Sequence, residues 1–173
     1  CLDVGINFFD SAEAYGWGGS ETVLGKAIRG HRDEVILCTK ASPNNPPQRD
    51  PNPNEFKVGD GLSFSQKALF RKVEGSLRRL GTDYLDLYLL HDWDKNTPPE
   101  QLATWMETLV QSGKIRYWGI SNFTSQQVNE FCDRRQKQFP MAGTEDYFHI
   151  ASGERPDAKF LNVIHKNGLG LLA

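Results

Sequence analysis

The chain has 173 residues, 38% of them hydrophobic and 24% charged, with a net charge of −2 at pH 7. That length suits one domain with a sizeable core, and the near-neutral charge excludes the strong positive field that nucleic acid or an anionic membrane would require. No stretch approaches about 18 consecutive apolar residues, so no membrane-crossing helix is expected.

The first residues, CLDVGINFFD, read as a helix tail, a glycine stop and a strand that begins near Ile6 and ends on Asp10. Tyr15 follows in a glycine-flanked loop, and a second strand, VILCTK, runs from Val35 to Lys40. Residues 43–62, PNNPPQRDPNPNEFKVGDGL, hold five prolines and few apolar residues. They read as a long exposed loop inserted after a strand. In ALFRKVEGSLRRLG, Leu69, Val73, Leu77 and Leu80 form a helical stripe that stops at Gly81. The third strand starts near Tyr84, and YLDLYLLH ends on His91. In PEQLATWMETLVQSGK, Leu102, Trp105, Met106, Leu109 and Val110 share one helical face. Thr97 and Glu100 suit a capping box there, with Pro98 in the first turn and Gly113 at the stop. A fourth strand, IRYWGISN, begins at Ile115 and ends on Ser121 and Asn122. Thr124 and Gln127 suit another cap, and further apolar runs start near Met141 and Leu169.

Regular alternation of strand and helix implies parallel strands joined by right-handed crossovers. An open doubly wound sheet and a (β/α)8 barrel both fit that pattern. The open sheet usually carries a GxGxxG turn, and GWGGSE is only an approximation to it. Cys1, Cys38 and Cys132 form no CxxC pair, which suits reduced thiols in a cytoplasmic protein. Residue 1 is Cys and the last residues, NGLGLLA, lie inside an apolar run. The chain is therefore expected to be a fragment.

In a parallel barrel the carboxyl ends of all strands converge on one face. Asp10, Lys40, His91, Ser121 and Asn122 stand at four such ends, with Tyr15 close behind the first. Singly, each has a plain reading: Asp10 as a helix cap, Tyr15 as a loop aromatic, Lys40 as a solvated strand end, His91 as a structural histidine. Together they form an acid device. A phenol has an ordinary pKa of about 10 and is a poor acid at neutral pH. A neighbouring ammonium stabilises the phenolate, a carboxylate holds the ammonium, and an imidazole can orient a carbonyl oxygen that is becoming an alkoxide.

The blocks NFFDSAEAYGWGGSETVLGKAI, ILCTK, SLRRLGTDYLDLYLLHDWD and GKIRYWGISNF closely resemble the aldo-keto reductases, in order and spacing, from residue 5 to about 132. The resemblance implies a (β/α)8 barrel and NADPH-dependent reduction of an aldehyde or ketone, a small-molecule carbonyl substrate. By position Asp10, Tyr15, Lys40 and His91 match the family's catalytic tetrad: Tyr15 the acid, Lys40 its tuning partner, Asp10 the support for Lys40, and His91 the carbonyl orienter. Ser121 and Asn122 match the pair that binds the nicotinamide carboxamide. In PMAGTEDYFHI the family's nicotinamide glutamine aligns with Thr144, which cannot reach as an amide does, and Tyr147 follows. The resemblance also implies that about six βα units are present. The family's first strand and the loops that hold the pyrophosphate are missing, and six strands cannot close an eight-stranded barrel. Trp17, Trp93 and the 43–62 insertion are expected to line the substrate pocket, although Trp93 equally suits a packing role. Two competing readings are a channel β-subunit-like regulatory protein that binds NADPH, and an inactive barrel fragment.

Overall fold

The computed structural model describes residues 1–43, 63–134, 141–148 and 156–173. In the described residues six strands alternate with five helices: β1 (Phe8–Asp10), α1 (Gly19–Ala27), β2 (Ile36–Ala41), α2 (Gln66–Leu80), β3 (Leu85–Leu90), α3 (Pro99–Gln111), β4 (Ile115–Ser121), α4 (Ser125–Arg134), β5 (Gly143–Glu145), α5 (Ala158–Lys166) and β6 (Gly170–Leu172). All six strands are parallel and lie in chain order in one sheet. Among the described strands β1 pairs only with β2, and β6 only with β5. This is the incomplete barrel of about six βα units that the resemblance implied. The inserted loop, apart from Pro43, lies outside the described residues. No helix among them is long and apolar enough to cross a membrane.

Strand side chains alternate between two faces. One row runs Thr39, Tyr88, Trp118 across β2, β3 and β4. It is buried under the helices, with Leu69 and Val73 of α2, Met106 of α3 and Phe131 of α4 in the same core. Each such side chain stabilises the fold by roughly 1.5–3 kcal/mol when fully buried. The other face is the inner one. At its amino end Phe8, Ile36 and Tyr117 are exposed. Further along, Lys40 and Leu89 pair in register, followed by Gly119, Gly143 and Gly170. A Cβ on Gly119 would stand 2.4 Å from the carbonyl oxygen of Gly143 and 2.8 Å from the Leu89 side chain. Glycine is required there because β4 and β5 approach too closely for any side chain.

Most helix ends follow the sequence signals. Gly81 ends α2 at φ 70°, in the left-handed region. Thr124 and Gln127 form a reciprocal capping box on α4: Thr124 N–H donates to Gln127 Oε1, and Gln127 N–H to Thr124 Oγ1. The expected box on α3 is absent. Pro98 is the N-cap and makes no side-chain cap bond. Thr97 is drawn elsewhere: its hydroxyl donates to Phe64 O and its N–H to Asp94 Oδ1. Asp94, nearly fully buried, competes successfully for the backbone that the box would have organised.

Candidate active site

Because the strands are parallel, β1 delivers Asp10, β2 delivers Lys40, and the residues after β3 and β4 deliver His91 and Asn122 to the same edge. The segment beyond β1 stays tied to β2: Ser11 N–H donates to Cys38 O, and Glu13 N–H to Lys40 O. Glu13 then turns inward and accepts from Lys72 Nζ of α2 and from the Ser42 N–H. Burial pushes its carboxyl above the usual range, against the pull of Lys72. These bonds fix the base of the loop that carries Tyr15. Its next residues are unusual. Gly16, Trp17 and Gly18 have φ of 55°, 56° and 82°, a run that a non-glycine residue such as Trp17 enters only at a cost.

Lys40 is fully buried. Its ammonium donates to Asp10 Oδ2, to Ser11 O at 3.1 Å and to the Tyr15 hydroxyl at 3.5 Å. It also lies 3.1 Å from Glu145 Oε1. Burial works against the charge, but the hydrogen bonds and charges of Asp10 and Glu145 outweigh it and hold the ammonium above the ordinary lysine value. Tyr15 stands edge-on to His91, ring centres 5.8 Å apart. Asp10, Tyr15, Lys40 and His91 thus form one cluster.

His91 N–H is held by Ala41 O, and its Nδ1 lies 3.2 Å from Ser42 Oγ. Burial holds its imidazole below its ordinary value of 6.5; Asp92 and Asp10 pull it up and Lys40 pushes it down. In the unfolded chain the imidazole takes a proton near pH 6.5, whereas the folded one does so only at lower pH. Its contribution to stability is therefore present above that pH and is lost as pH falls through the folded value. The raised carboxyls of Glu13 and Glu145 act in the opposite sense, so the check is a comparison. His91→Gln is expected to flatten the fall of the urea midpoint below about pH 6.5. Identical slopes in parent and variant would rule this out.

Ser121 is buried at the end of β4, and Asn122 follows at φ 62°. Asn122 Nδ2 donates to His91 O and to Ser121 Oγ, at 2.9 and 3.2 Å. The Ser121 O–H is left to donate. A cavity of about 430 Å³ opens here, lined by Asp10, Tyr15, His91, Ser121, Asn122 and Glu145 among others.

Thr144 is not brought to this cavity. It pairs in register with Ile120 of the helix-facing core. It is fully buried there, and its Oγ1 has no hydrogen-bond partner among the described residues. The next residue, Glu145, takes the inner position instead. Strand alternation is the reason: one residue along β5 changes the face. Tyr147 does line the cavity. Trp93 packs edge-on against Phe123, ring centres 5.4 Å apart, and neither it nor Trp17 is among the cavity's lining residues. Sequence reasoning missed Glu145 and Glu13. The TED triplet at a strand end is a signal for Glu145, but only with the register known. Cys38 and Cys132 are buried free thiols, and Cys1 is exposed.

The model of the aldo/keto reductase family matches residues 1–173. An uncharacterized oxidoreductase of Bacillus subtilis, YrpG, is 37% identical over 182 aligned residues, covering 99% of this chain and 53% of its own. A probable voltage-gated potassium channel subunit beta of Oryza sativa subsp. japonica is 32% identical, over 99% of this chain and 50% of its own. The crystal structure of an aldo/keto reductase from Klebsiella pneumoniae in complex with NADP and acetate superimposes with a TM-score of 0.79 at 35% identity, over 99% of this chain and 53% of that one. The chain spans about half the length of the curated relatives it matches.

Proposed function

The chain belongs to the aldo/keto reductase family, and from that premise we propose that the protein is an NADPH-dependent oxidoreductase that reduces aldehydes or ketones to alcohols. The observation that carries this reading is the Lys40 ammonium, held by Asp10 and 3.5 Å from the Tyr15 hydroxyl. Tyr15 is the proton donor to the carbonyl oxygen. Lys40 stabilises the phenolate left behind, because an ammonium beside a phenolate favours the charged form. Asp10 fixes Lys40. The neutral imidazole of His91, edge-on to the Tyr15 ring, orients the carbonyl oxygen and shares its developing charge.

The residues present fit the nicotinamide end of the cofactor. Ser121 offers a hydroxyl donor and Asn122 an amide at the cavity wall, and its volume of about 430 Å³ admits a ring of that size beside a small carbonyl compound. When bound, NADPH supplies the hydride. The chain's own part is to hold the carboxamide with Ser121 and Asn122 and to deliver the Tyr15 proton.

The test is an NADPH titration of the complete protein, followed by cofactor fluorescence, and then NADPH oxidation in the presence of benzaldehyde. Saturable binding with aldehyde-dependent oxidation is the expected result. Binding without turnover would favour the second reading, a regulatory protein, which is supported by the potassium channel β-subunit relative. Neither binding nor turnover would overturn both.

A further inference from the structure

The His91 ring is gripped at one nitrogen by a side chain that the proposed reaction does not use. Its Nδ1 lies 3.2 Å from Ser42 Oγ. Strand register brings the two together. Ala41 pairs with Leu90 across β2 and β3, and the His91 N–H donates to Ala41 O at 2.8 Å. The residues that follow each strand, Ser42 and His91, therefore stand side by side. Ser42 is held from behind as well. It is buried, and its N–H donates to Glu13 Oε1, which Lys72 of α2 clamps in turn.

A neutral imidazole carries one N–H, and the hydrogen bond made by one ring nitrogen decides which of the two holds it. With the proton on Nδ1, the ring would donate to Ser42 Oγ. The Ser42 hydroxyl would then need an acceptor of its own, and His91 is the partner it has among the described residues. A buried donor left without an acceptor is costly. With Ser42 donating to Nδ1, the hydroxyl proton is satisfied and the ring proton sits on Nε2. That nitrogen is the one left for a ligand in the cavity that His91 lines. Only a protonated Nε2 can donate to a carbonyl oxygen; a bare one would turn its lone pair on the developing negative charge.

Resting on the carbonyl reductase reading above, we propose that Ser42 is a positioning residue: its hydroxyl donates to His91 Nδ1, fixes the ring, and keeps the imidazole proton on Nε2, where it meets the substrate's carbonyl oxygen. Ser42 acts through His91 and transfers no proton itself.

The experiment reads the two ring nitrogens of His91 by heteronuclear NMR of the complete protein, labelled at histidine, at mildly alkaline pH. The signal that disappears in His91→Gln identifies the residue. The parent is expected to show Nε2 protonated and Nδ1 bare; Nδ1 protonated in most molecules would overturn the proposal. Ser42→Ala should lower kcat for benzaldehyde by about two- to tenfold, the worth of one neutral hydrogen bond, raise the share of the Nδ1–H form, and leave NADPH affinity unchanged. Ser42→Thr keeps the hydroxyl and should restore both the kinetics and the spectrum. A Ser42→Ala variant that matches the parent in both, or an equal loss in Ala and Thr variants with the tautomer unmoved, would also overturn it. Should Ser42→Ala fail to fold, the parent's spectrum decides. Nδ1–H in a parent that reduces benzaldehyde sinks the role of Ser42 alone. No turnover in the parent sinks the reductase reading, and this inference with it.

Discussion

Replacing Tyr15 by Phe is expected to lower kcat for aldehyde reduction by roughly a hundred- to ten-thousand-fold, the usual worth of a positioned general acid, while NADPH affinity stays close to that of the parent. The ring survives the substitution, so its edge-on contact with His91 is kept. Only the hydroxyl is lost, together with its bond to the Lys40 ammonium. Lys40 remains held by Asp10, Ser11 O and Glu145, so the cluster should not collapse. The measurement is steady-state turnover with benzaldehyde beside a cofactor fluorescence titration. A variant that keeps turnover within a few-fold of the parent would show that the proton comes from elsewhere. Equal loss of binding and turnover would point to a folding defect rather than to a missing acid.

The second large effect concerns stability. Glu21→Ala should cost about 3–5 kcal/mol, the range found when one partner of a buried ion pair is removed. Glu21 is fully buried in α1. Its carboxylate accepts from Arg79 Nε of α2 at 2.6 Å and from Thr39 Oγ1 of β2 at 2.6 Å. One side chain thus joins two helices and a strand, behind the loop that carries Tyr15. Its loss leaves the Arg79 guanidinium and the Thr39 hydroxyl without their partner in the helix layer. For a chain of this size the melting temperature should fall by about 10 °C. Glu21→Gln keeps an acceptor and should cost less, and adding Arg79→Met to Glu21→Ala should recover part of the loss. Urea unfolding of the three variants tests this. A loss under about 1 kcal/mol for Glu21→Ala would mean that solvent reaches the pair and replaces it.

Much of the site is legible in the amino-acid sequence, for one topological reason. A polar residue that ends an apolar strand in a βα repeat must lie on the shared carboxyl edge. Asp10, Lys40 and His91 can therefore be grouped although long stretches of sequence separate them. The helix signals are nearly as clear where a motif is local, as with Thr124 and Gln127. They fail where a distant group intervenes, as when Asp94 draws Thr97 away from its expected cap.

The sequence by itself determined the alternation of six strands with helices, the parallel direction of the strands and the residues at their carboxyl ends, because hydrophobic periodicity and strand termini are local properties. Only the tertiary structure decided which of Thr144 and Glu145 faces the cavity, since side chains on a strand alternate and a shift of one residue in register exchanges them. The same holds for the buried pairs Glu13–Lys72 and Glu21–Arg79. Charged residues on a helix read as surface until packing shows what lies opposite. Each of these pairs exists because α2 meets a distant segment, the loop after β1 at Glu13 and α1 at Glu21, at a distance that no single segment encodes.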